Sequence, residues 1–329
     1  MTDWTTAQLP DLGSLTVVVT GANSGLGLQT SLELARKGAR VLMACRDEGR
    51  GRAAVAEVRS QLPQAQVELG SLDLTALSSV RAFAEQTLAD HPRIDVLVNN
   101  AGIMATPRFT TADGFEGQLG TNHLGHFALT GLLLPGLLTA SRAGVDALGG
   151  PARVVTVSSM VHRRGRLNRD DLMLERSYQP WQSYAQSKLA NLLFMRELAH
   201  RFAQAGVPVA SLAAHPGYAA TNLQTPQPPA AGAGQVAQTL FRLRLQGSEL
   251  GSRVMAQPAS QGALPSLRAA ADPRSRSGQY YGPSRLFETR GAPVAVGMAR
   301  AALDDGDAVW LWQRSVQLTG VDYPELEQA

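Results

Sequence analysis

Residues 15–38 constrain the fold more than any other stretch of the chain. Leu15-Thr-Val-Val-Val-Thr20 is a short, β-branched apolar run bounded by glycines. That is the pattern of a strand buried on both faces of a parallel sheet. Thr20-Gly21-Ala22-Asn23-Ser24-Gly25-Leu26-Gly27 follows, and a helical pattern then runs through Leu28, Leu32, Leu34 and Ala35 until Gly38 ends it. Strand, glycine-rich turn and helix together make a phosphate-binding device. The bare backbone lets a pyrophosphate come close, and the helix N-terminus offers free N–H groups and a positive dipole. The glycines are spaced Gly-x3-Gly-x-Gly rather than GxGxxG. Three glycines alone would read as a plain turn; their place between strand and helix makes nucleotide binding the expectation.

Later apolar runs repeat the alternation. Strands are expected at Arg40–Cys45, about 66–70, Ile94–Val98, Arg153–Val157, Val207–Ala214 and Gly278–Gly282, with helices at about 48–61, 75–90, 113–139, around Tyr184–Phe202 and over 258–271. Residues 140–151 read as a loop. The expected fold is α/β: a single-domain, Rossmann-like, doubly wound parallel sheet of about seven strands with helices on both faces, occupying 14–329 after an N-terminal arm at 1–13. The chain has 329 residues, 44% of them hydrophobic, enough for a large core. Net charge is +3, from 30 basic and 27 acidic residues, and the basic residues are scattered. No nucleic-acid partner is expected. The one cysteine, Cys45, excludes a disulfide framework and a Cys-based zinc site and fits a reducing, cytoplasmic setting. The N-terminal residues lack a basic segment followed by an apolar one, so no signal peptide is expected. No run of 18 apolar residues is present, so no membrane span is expected.

The second strand ends in Cys45-Arg46-Asp47. A dinucleotide site reads the adenosine ribose at that position. The Arg46 guanidinium suits a 2′-phosphate, which favours NADP(H) over NAD(H). Asp47 complicates the choice, because an acid there could bond a 2′-hydroxyl instead. Asp73, after the third strand, could accept from the adenine amino group or N-cap the helix that follows. Asn99-Asn100-Ala101-Gly102 closes the fourth strand with small residues and amides that allow close approach of a ligand. Asn122 falls inside the next helix, where asparagine is a poor helix former, and a glycine follows three residues on. Such a misfit marks a functional kink. His123 and His126 have the i,i+3 spacing of two metal ligands, but no third ligand is evident, so core or surface histidines and no metal are expected.

Tyr184-Ala-Gln-Ser-Lys188 lies on an amphipathic helix, so Tyr184 and Lys188 point the same way, one turn apart. A phenol has a pKa near 10 and is a poor acid or base at neutral pH; a nearby ammonium favours the phenolate. Alone, the pair reads as two surface residues.

In this order, TGANSGLG (20–27), Asp73-Leu74, NNAG (99–102), Asn122, VSS (157–159), YAQSK (184–188) and HPG (215–217) resemble the short-chain dehydrogenase/reductase family over residues 14–222. MACRD, NHLGHF, VSSMVHRRGRL and SKLANLLF are similar to its retinol dehydrogenase and WW-domain oxidoreductase branch, and MACRD also to light-dependent protochlorophyllide reductase. The resemblance implies roles. Tyr184 would be the general acid or base, Lys188 would lower its pKa and bond the nicotinamide ribose, and Ser159 would polarise the substrate oxygen. Asn122 would hold a water beside Lys188. Gly21, Asn23, Ser24, Gly25, Leu26 and Gly27 would line the pyrophosphate site; Asp73, Leu74, Asn99, Ala101 and Gly102 would face the adenosine half; Pro216, Gly217 and Thr221 would contact the nicotinamide carboxamide. The implied reaction is hydride transfer between NADP(H) and a C=O/C–OH group of a small, lipophilic substrate. C=C reduction with the same Tyr and Lys is the alternative within the family, and an NADP-sensing or scaffold protein the alternative outside catalysis. Many members pair long helices into dimers or tetramers, and the apolar residues after Lys188 permit a homodimer or homotetramer. Residues 160–183 would form an excursion over the site. Residues 222–257, a Pro/Ala/Gly-rich loop followed by two helical stretches, would form a substrate lid. The amphipathic tail would pack on the domain or reach a partner subunit.

Overall fold

The chain alternates strand and helix because its apolar runs alternate between short β-branched blocks and 3.6-residue periodicity. In the computed structural model, residues 3–143, 146–218 and 257–326 are described. The elements are β1 (Thr16–Thr20), α1 (Gly25–Arg36), β2 (Arg40–Cys45), α2 (Glu48–Gln61), β3 (Val67–Ser71), α3 (Leu77–Asp90), β4 (Val96–Asn99), α4 (Gly117–Leu119), α5 (Gly125–Ala143), β5 (Ala152–Val157), α6 (Pro180–Gln204), β6 (Val209–Ala214), α7 (Ala259–Gly262), α8 (Leu264–Ala271), β7 (Tyr280–Arg285), β8 (Arg290–Ala295) and α9 (Asp305–Thr319). The sheet has eight strands in the order β3-β2-β1-β4-β5-β6-β7-β8, where about seven were expected. Seven run parallel; β8 turns back antiparallel to β7 as a hairpin. Its sequence, Arg-Gly-Ala-Pro-Val-Ala, carries glycine and two-sided exposure rather than an apolar run, as suits an edge strand.

The order reverses between β1 and β4. β1 pairs with β2 on one side (Thr20↔Ala44) and with β4 on the other (Val19↔Val98), and that opens a crevice at the C-terminal strand ends. β5 and β6 continue the edge, with Val157 opposite Ala214. Val17, Val18, Val19, Leu97, Val98, Val154 and Val155 are fully buried, as strands covered on both faces require.

α4, a π-helical turn at Gly120–Leu124 and α5 form one rod. The misfit expected at Asn122 is this π turn. Gly125 lets the rod meet the end of β3: a Cβ there would lie 2.7 Å from the Leu74 carbonyl oxygen. The rod from Gly117 to Ala143 is long and apolar enough to cross a bilayer, but most of it is buried inside the fold, as a core helix is. It runs into the segment expected as loop, and a 3₁₀ turn at Asp146–Leu148 completes the connection.

The C-terminal tail packs on its own domain. Phe127 of α5, Phe194 of α6, Trp312 of α9 and Tyr323 form one aromatic cluster, with Phe127–Trp312 and Phe127–Tyr323 ring centres 5.1 Å apart. The Tyr323 hydroxyl donates to the Phe127 carbonyl at 2.6 Å, and Arg201 stacks over Trp312. Trp312 is 5% exposed. Trp312→Ala should cost about 3–5 kcal/mol, read as a lower urea midpoint at unchanged m-value. A shift worth under about 1 kcal/mol would mean that α9 is not part of the cooperative unit.

Candidate active site

The glycine turn is built by Thr20. Its hydroxyl accepts from the N–H groups of Asn100 and Ala101, both at 2.9 Å, and lies 2.9 Å from His126 Nε2. His126 Nδ1 lies 3.0 Å from the Asn122 carbonyl, which only accepts. Nδ1 therefore carries the proton, and Nε2 accepts from Thr20. Burial pushes the His126 imidazole down to about 4, so it is neutral. Asn100 Nδ2 donates to the Thr20 carbonyl at 2.7 Å. Gly21, at φ 65°, packs against Ala101, where a Cβ would come within 3.0 Å. Ser24 N-caps α1 without a side-chain hydrogen bond, so the first N–H groups of α1 stay open.

Those N–H groups face a cleft of about 300 Å³ lined by Gly21, Asn23, Ser24, Gly25, Leu26, Gly27, Arg46, Asp47, Arg50, Asp73, Leu74, Asn100, Ala101, Gly102, Ile103 and others. Open helix N-terminal donors and glycines at the crevice fit a dinucleotide pyrophosphate. Asn99 does not line the cleft. It is fully buried, and its Nδ2 donates to Thr130 of α5 at 2.9 Å; Asn100 takes the place expected for it, because successive side chains on a strand face opposite ways. Asp73 does not cap α3 directly. Its Oδ1 accepts from the N–H and hydroxyl of Thr75 in an Asx turn, and the Asp113 carboxylate accepts from Leu77 N–H at the start of α3.

At the far end of β2, Asp47 N-caps α2, with Oδ1 accepting from Arg50 N–H at 2.9 Å. That hydrogen bond, with the charges of Arg50 and Arg46, holds its carboxyl below the usual range. Arg46 and Arg50 both border the cleft. Arg50 is missed by a reading confined to the strand end; its signal is a basic residue one turn into the following helix.

The cleft reaches Gly102 and Ile103. Beyond Gly102 lie Lys188 and Asn122: a Cβ on Gly102 would be 3.1 Å from Asn122 Oδ1 and 3.3 Å from Lys188 Nζ. The Asn122 amide is committed to protein groups. Oδ1 accepts from Ile103 N–H, and Nδ2 donates to the Ile103 carbonyl and to Ser187. Its observed work is to clamp the strand-four exit on to α6.

Lys188 is 4% exposed, and among the described residues it makes no ion pair. Its Nζ donates to the Val157 carbonyl at 3.1 Å and lies 5.8 Å from the centre of the Tyr184 ring. Burial pushes the amine down to about 8. Tyr184 is buried too, and its phenol is pushed up to about 12 by desolvation, with a hydrogen bond to Ser159 pulling the other way. The spacing argument expects the ammonium to lower the phenol; burial raises it, and the opposing pull comes from Ser159. Ser159 leaves β5 and caps a 3₁₀ turn, Met160–Arg164, accepting from Val161 N–H at 3.3 Å. Its carbonyl is 2.7 Å from His162 Nδ1. Pro216 and Gly217 follow β6 beside it; Thr221 and the expected lid lie outside the described residues, except Gln257. Gln186 pins the 160–183 excursion through Asn168 N–H and the Leu172 carbonyl. Trp181, unforeseen, stands 58% exposed with its ring edge-on to Tyr184 at 6.1 Å. His123 and His126 do not converge: His123 Nε2 pairs with Ser315 at 2.9 Å, in the core.

The short chain dehydrogenase family model matches residues 15–231, two thirds of the chain. The protein belongs to the short-chain dehydrogenase/reductase family. It is 39% identical over 323 residues to human Retinol dehydrogenase 14, covering 93% of this chain and 86% of that protein. It is 48% identical over 219 residues to human Retinol dehydrogenase 12, covering 67% of this chain and 65% of that one. Its place is in the retinol dehydrogenase-like branch of these oxidoreductases. A crystal structure of an uncharacterised protein from Mycobacterium paratuberculosis superposes with a TM-score of 0.75 at 43% identity, covering 98% of this chain and all of the other. A protein from Beutenbergia cavernae assigned as an NAD(P)-dependent gluconate 5-dehydrogenase, with NADP bound at low occupancy, superposes at 0.58 and 26% identity, covering 82% of this chain and 95% of that one.

A lysine this deeply buried, with no ion pair among the described residues, lowers the stability of the protein without its ligand. Its pKa falls from an unfolded value near 10.4 to about 8, so between those values the unfolded chain binds the proton and the folded chain does not. Stability contributed at this site therefore rises with pH through about 8–10.5. Lys188→Met should stabilise the ligand-free protein at pH 7 by on the order of 2–3 kcal/mol, and the Val157 carbonyl keeps a donor in Asn191. Urea titrations at pH 7 and pH 10 should show that gain shrinking toward zero. A gain that is absent at pH 7, or equal at both, would mean that Lys188 is solvated.

Proposed function

We propose that this oxidoreductase transfers a hydride between NADP(H) and the C=O/C–OH group of a small molecule, with Tyr184 as the proton donor or acceptor. The observation that carries the proposal is Lys188: an ammonium-bearing side chain held inside the fold without a carboxylate partner among the described residues, one helical turn from a buried phenol. Lysine is rarely buried unpaired, and perturbed groups of this kind cluster at functional sites.

When bound, the nicotinamide supplies or receives the hydride. The chain's own residues do the rest. The open N–H groups of α1 and the glycine turn bind the pyrophosphate. Arg46 and Arg50 hold the 2′-phosphate; Asp47, engaged as a helix cap, is a poor candidate for a ribose 2′-hydroxyl. Ser159 and Tyr184 lie within hydrogen-bond reach of each other, and a substrate oxygen that takes the place of their mutual bond can accept from both hydroxyls. Near neutral pH the phenol is protonated, the state that gives a proton to a developing alkoxide. Lys188, beyond Gly102, faces the ribose side, where its donors can hold hydroxyls and its charge can steady the phenolate left behind.

Turnover of NADPH with a panel of aldehydes, ketones and enones tests the reading. Tyr184→Phe should lower kcat/KM by about 10²–10⁴ while NADPH affinity stays near wild type; unchanged turnover would remove Tyr184 from the chemistry. NADPH binding with turnover of no substrate would point to a sensor. Arg46→Ala should weaken NADPH on the order of tenfold more than NADH; equal losses would overturn the 2′-phosphate assignment.

A further inference from the structure

The tip of the β7–β8 hairpin is built against the grain of the chain. Leu286, Phe287 and Glu288 are consecutive and all left-handed, at φ 49°, 54° and 65°, and none is glycine. Each carries a steric penalty that glycine avoids. Burial is inverted as well: Leu286 is 61% and Phe287 98% exposed, while the Glu288 carboxylate turns inward. A turn shaped for stability alone would place glycine or asparagine here and keep the apolar residues in. Residues held in sparsely populated backbone conformations concentrate at functional sites.

Glu288 joins two walls of the candidate site. Its Oε1 accepts from Arg163 Nη2 at 2.8 Å, and its Oε2 lies 3.2 Å from His215 Nε2, a close approach that does not complete a hydrogen bond. Arg163 belongs to the 3₁₀ turn that begins at Ser159, and it also donates to the Gly297 carbonyl. His215 opens His215-Pro216-Gly217. The two segments leave the sheet side by side, with Ser158 N–H donating to the Ala214 carbonyl at 2.8 Å. Gly217 N–H donates to His215 Nδ1 at 3.2 Å, so Nε2, the nitrogen on the Glu288 side, bears the proton. Gly282 lies flat on the imidazole, where any Cβ would overlap the ring. The hairpin also grips the turn directly: Thr289 carbonyl accepts from Tyr218 N–H at 2.9 Å, and a side chain on Gly217, at φ 67°, would strike that carbonyl. The His215 contact, then the Arg163 charge, hold the Glu288 carboxyl below its usual range.

The cleft over the ends of β1, β2 and β3 takes the Arg46 end of a dinucleotide. A dinucleotide crossing the switch point continues over the ends of β4, β5 and β6, past Gly102 toward Tyr184, so its other half meets the walls at Ser159 and at His215–Gly217. We infer that Glu288 is a positioning residue for the nicotinamide half of the cofactor site, bracing the His215-Pro216-Gly217 turn against the turn that carries Ser159. The inference rests on the NADP(H) reading above.

Two ligands separate it from that reading. Adenosine 2′,5′-bisphosphate carries the adenosine and the 2′-phosphate but no nicotinamide; NADP⁺ carries both halves. Calorimetric titration of the full chain should show that Glu288→Ala weakens NADP⁺ about tenfold and leaves the bisphosphate unchanged, with Glu288→Gln intermediate. Equal weakening of both ligands would make the hairpin a merely structural element, and unchanged NADP⁺ affinity would remove Glu288 from the site; either result overturns the inference. A wild-type chain that binds neither ligand would bring down the NADP(H) reading and the inference with it.

Discussion

The hydroxyl of Thr20 holds the site together. It has one proton and two lone pairs, and all three are spent: the proton on His126, the lone pairs on the N–H groups of Asn100 and Ala101. Those contacts fasten the end of β1 to the end of β4 and, through the imidazole, to the Asn122 carbonyl in the π turn. A π turn inserts an extra residue into the ladder and leaves backbone groups in need of partners. Here the ring of a residue four positions on supplies one. The glycine turn, the NNAG segment and the Asn122 turn therefore form one hydrogen-bonded unit inside the core, where an unmade bond is costly. Gly21 must be glycine within it, because its left-handed backbone lies against Ala101.

Burial governs the Tyr184–Lys188 pair in a way that spacing along a helix does not convey. Desolvation acts on both groups toward neutrality, raising the phenol and lowering the amine. Stability would be better served by an apolar residue at position 188. A ligand that brings hydroxyl acceptors and phosphate charge toward Gly102 changes the balance, since an anion nearby favours the ammonium. On the proposed NADP(H) reading the pair is arranged for a loaded site, and an unpaired buried amine is what the fold tolerates without one.

What was legible in the sequence was what a local pattern encodes. The strand–glycine–helix unit, β2 with Arg46 at its end, the π misfit at Asn122 and the helix of Tyr184 all rest on periods or propensities within a dozen residues. Asn99 was misplaced for a reason of orientation, the pleat having turned it into the core; Asp73 lines the cleft as expected, but its carboxylate makes an Asx turn with Thr75 rather than capping α3. His126 carries no local mark that separates it from His123, three residues earlier. The fold tells them apart, sending one ring to Thr20 and the other to Ser315. The eighth strand escaped because an edge strand has no continuous apolar run to announce it.

The two ends of the site differ in the same respect. The glycine-turn end of the cleft is made largely of backbone, so it is written in glycines and in the start of a helix, both readable in order. The wall beyond Tyr184 is made of side chains from distant parts of the chain: Trp181 from the start of α6, Arg163 from the turn after β5, His215 from the end of β6 and Glu288 from a hairpin 125 residues past Arg163. Backbone donors suit a ligand part that all relatives share, because any side chain leaves them intact. Side chains brought together by the fold suit a part that must differ, because each can change without disturbing the glycine turn. A strained tip that spends conformational energy to deliver a single carboxylate belongs to the second kind of construction, in which contacts far apart in the chain, here Arg163 and His215, converge on one group.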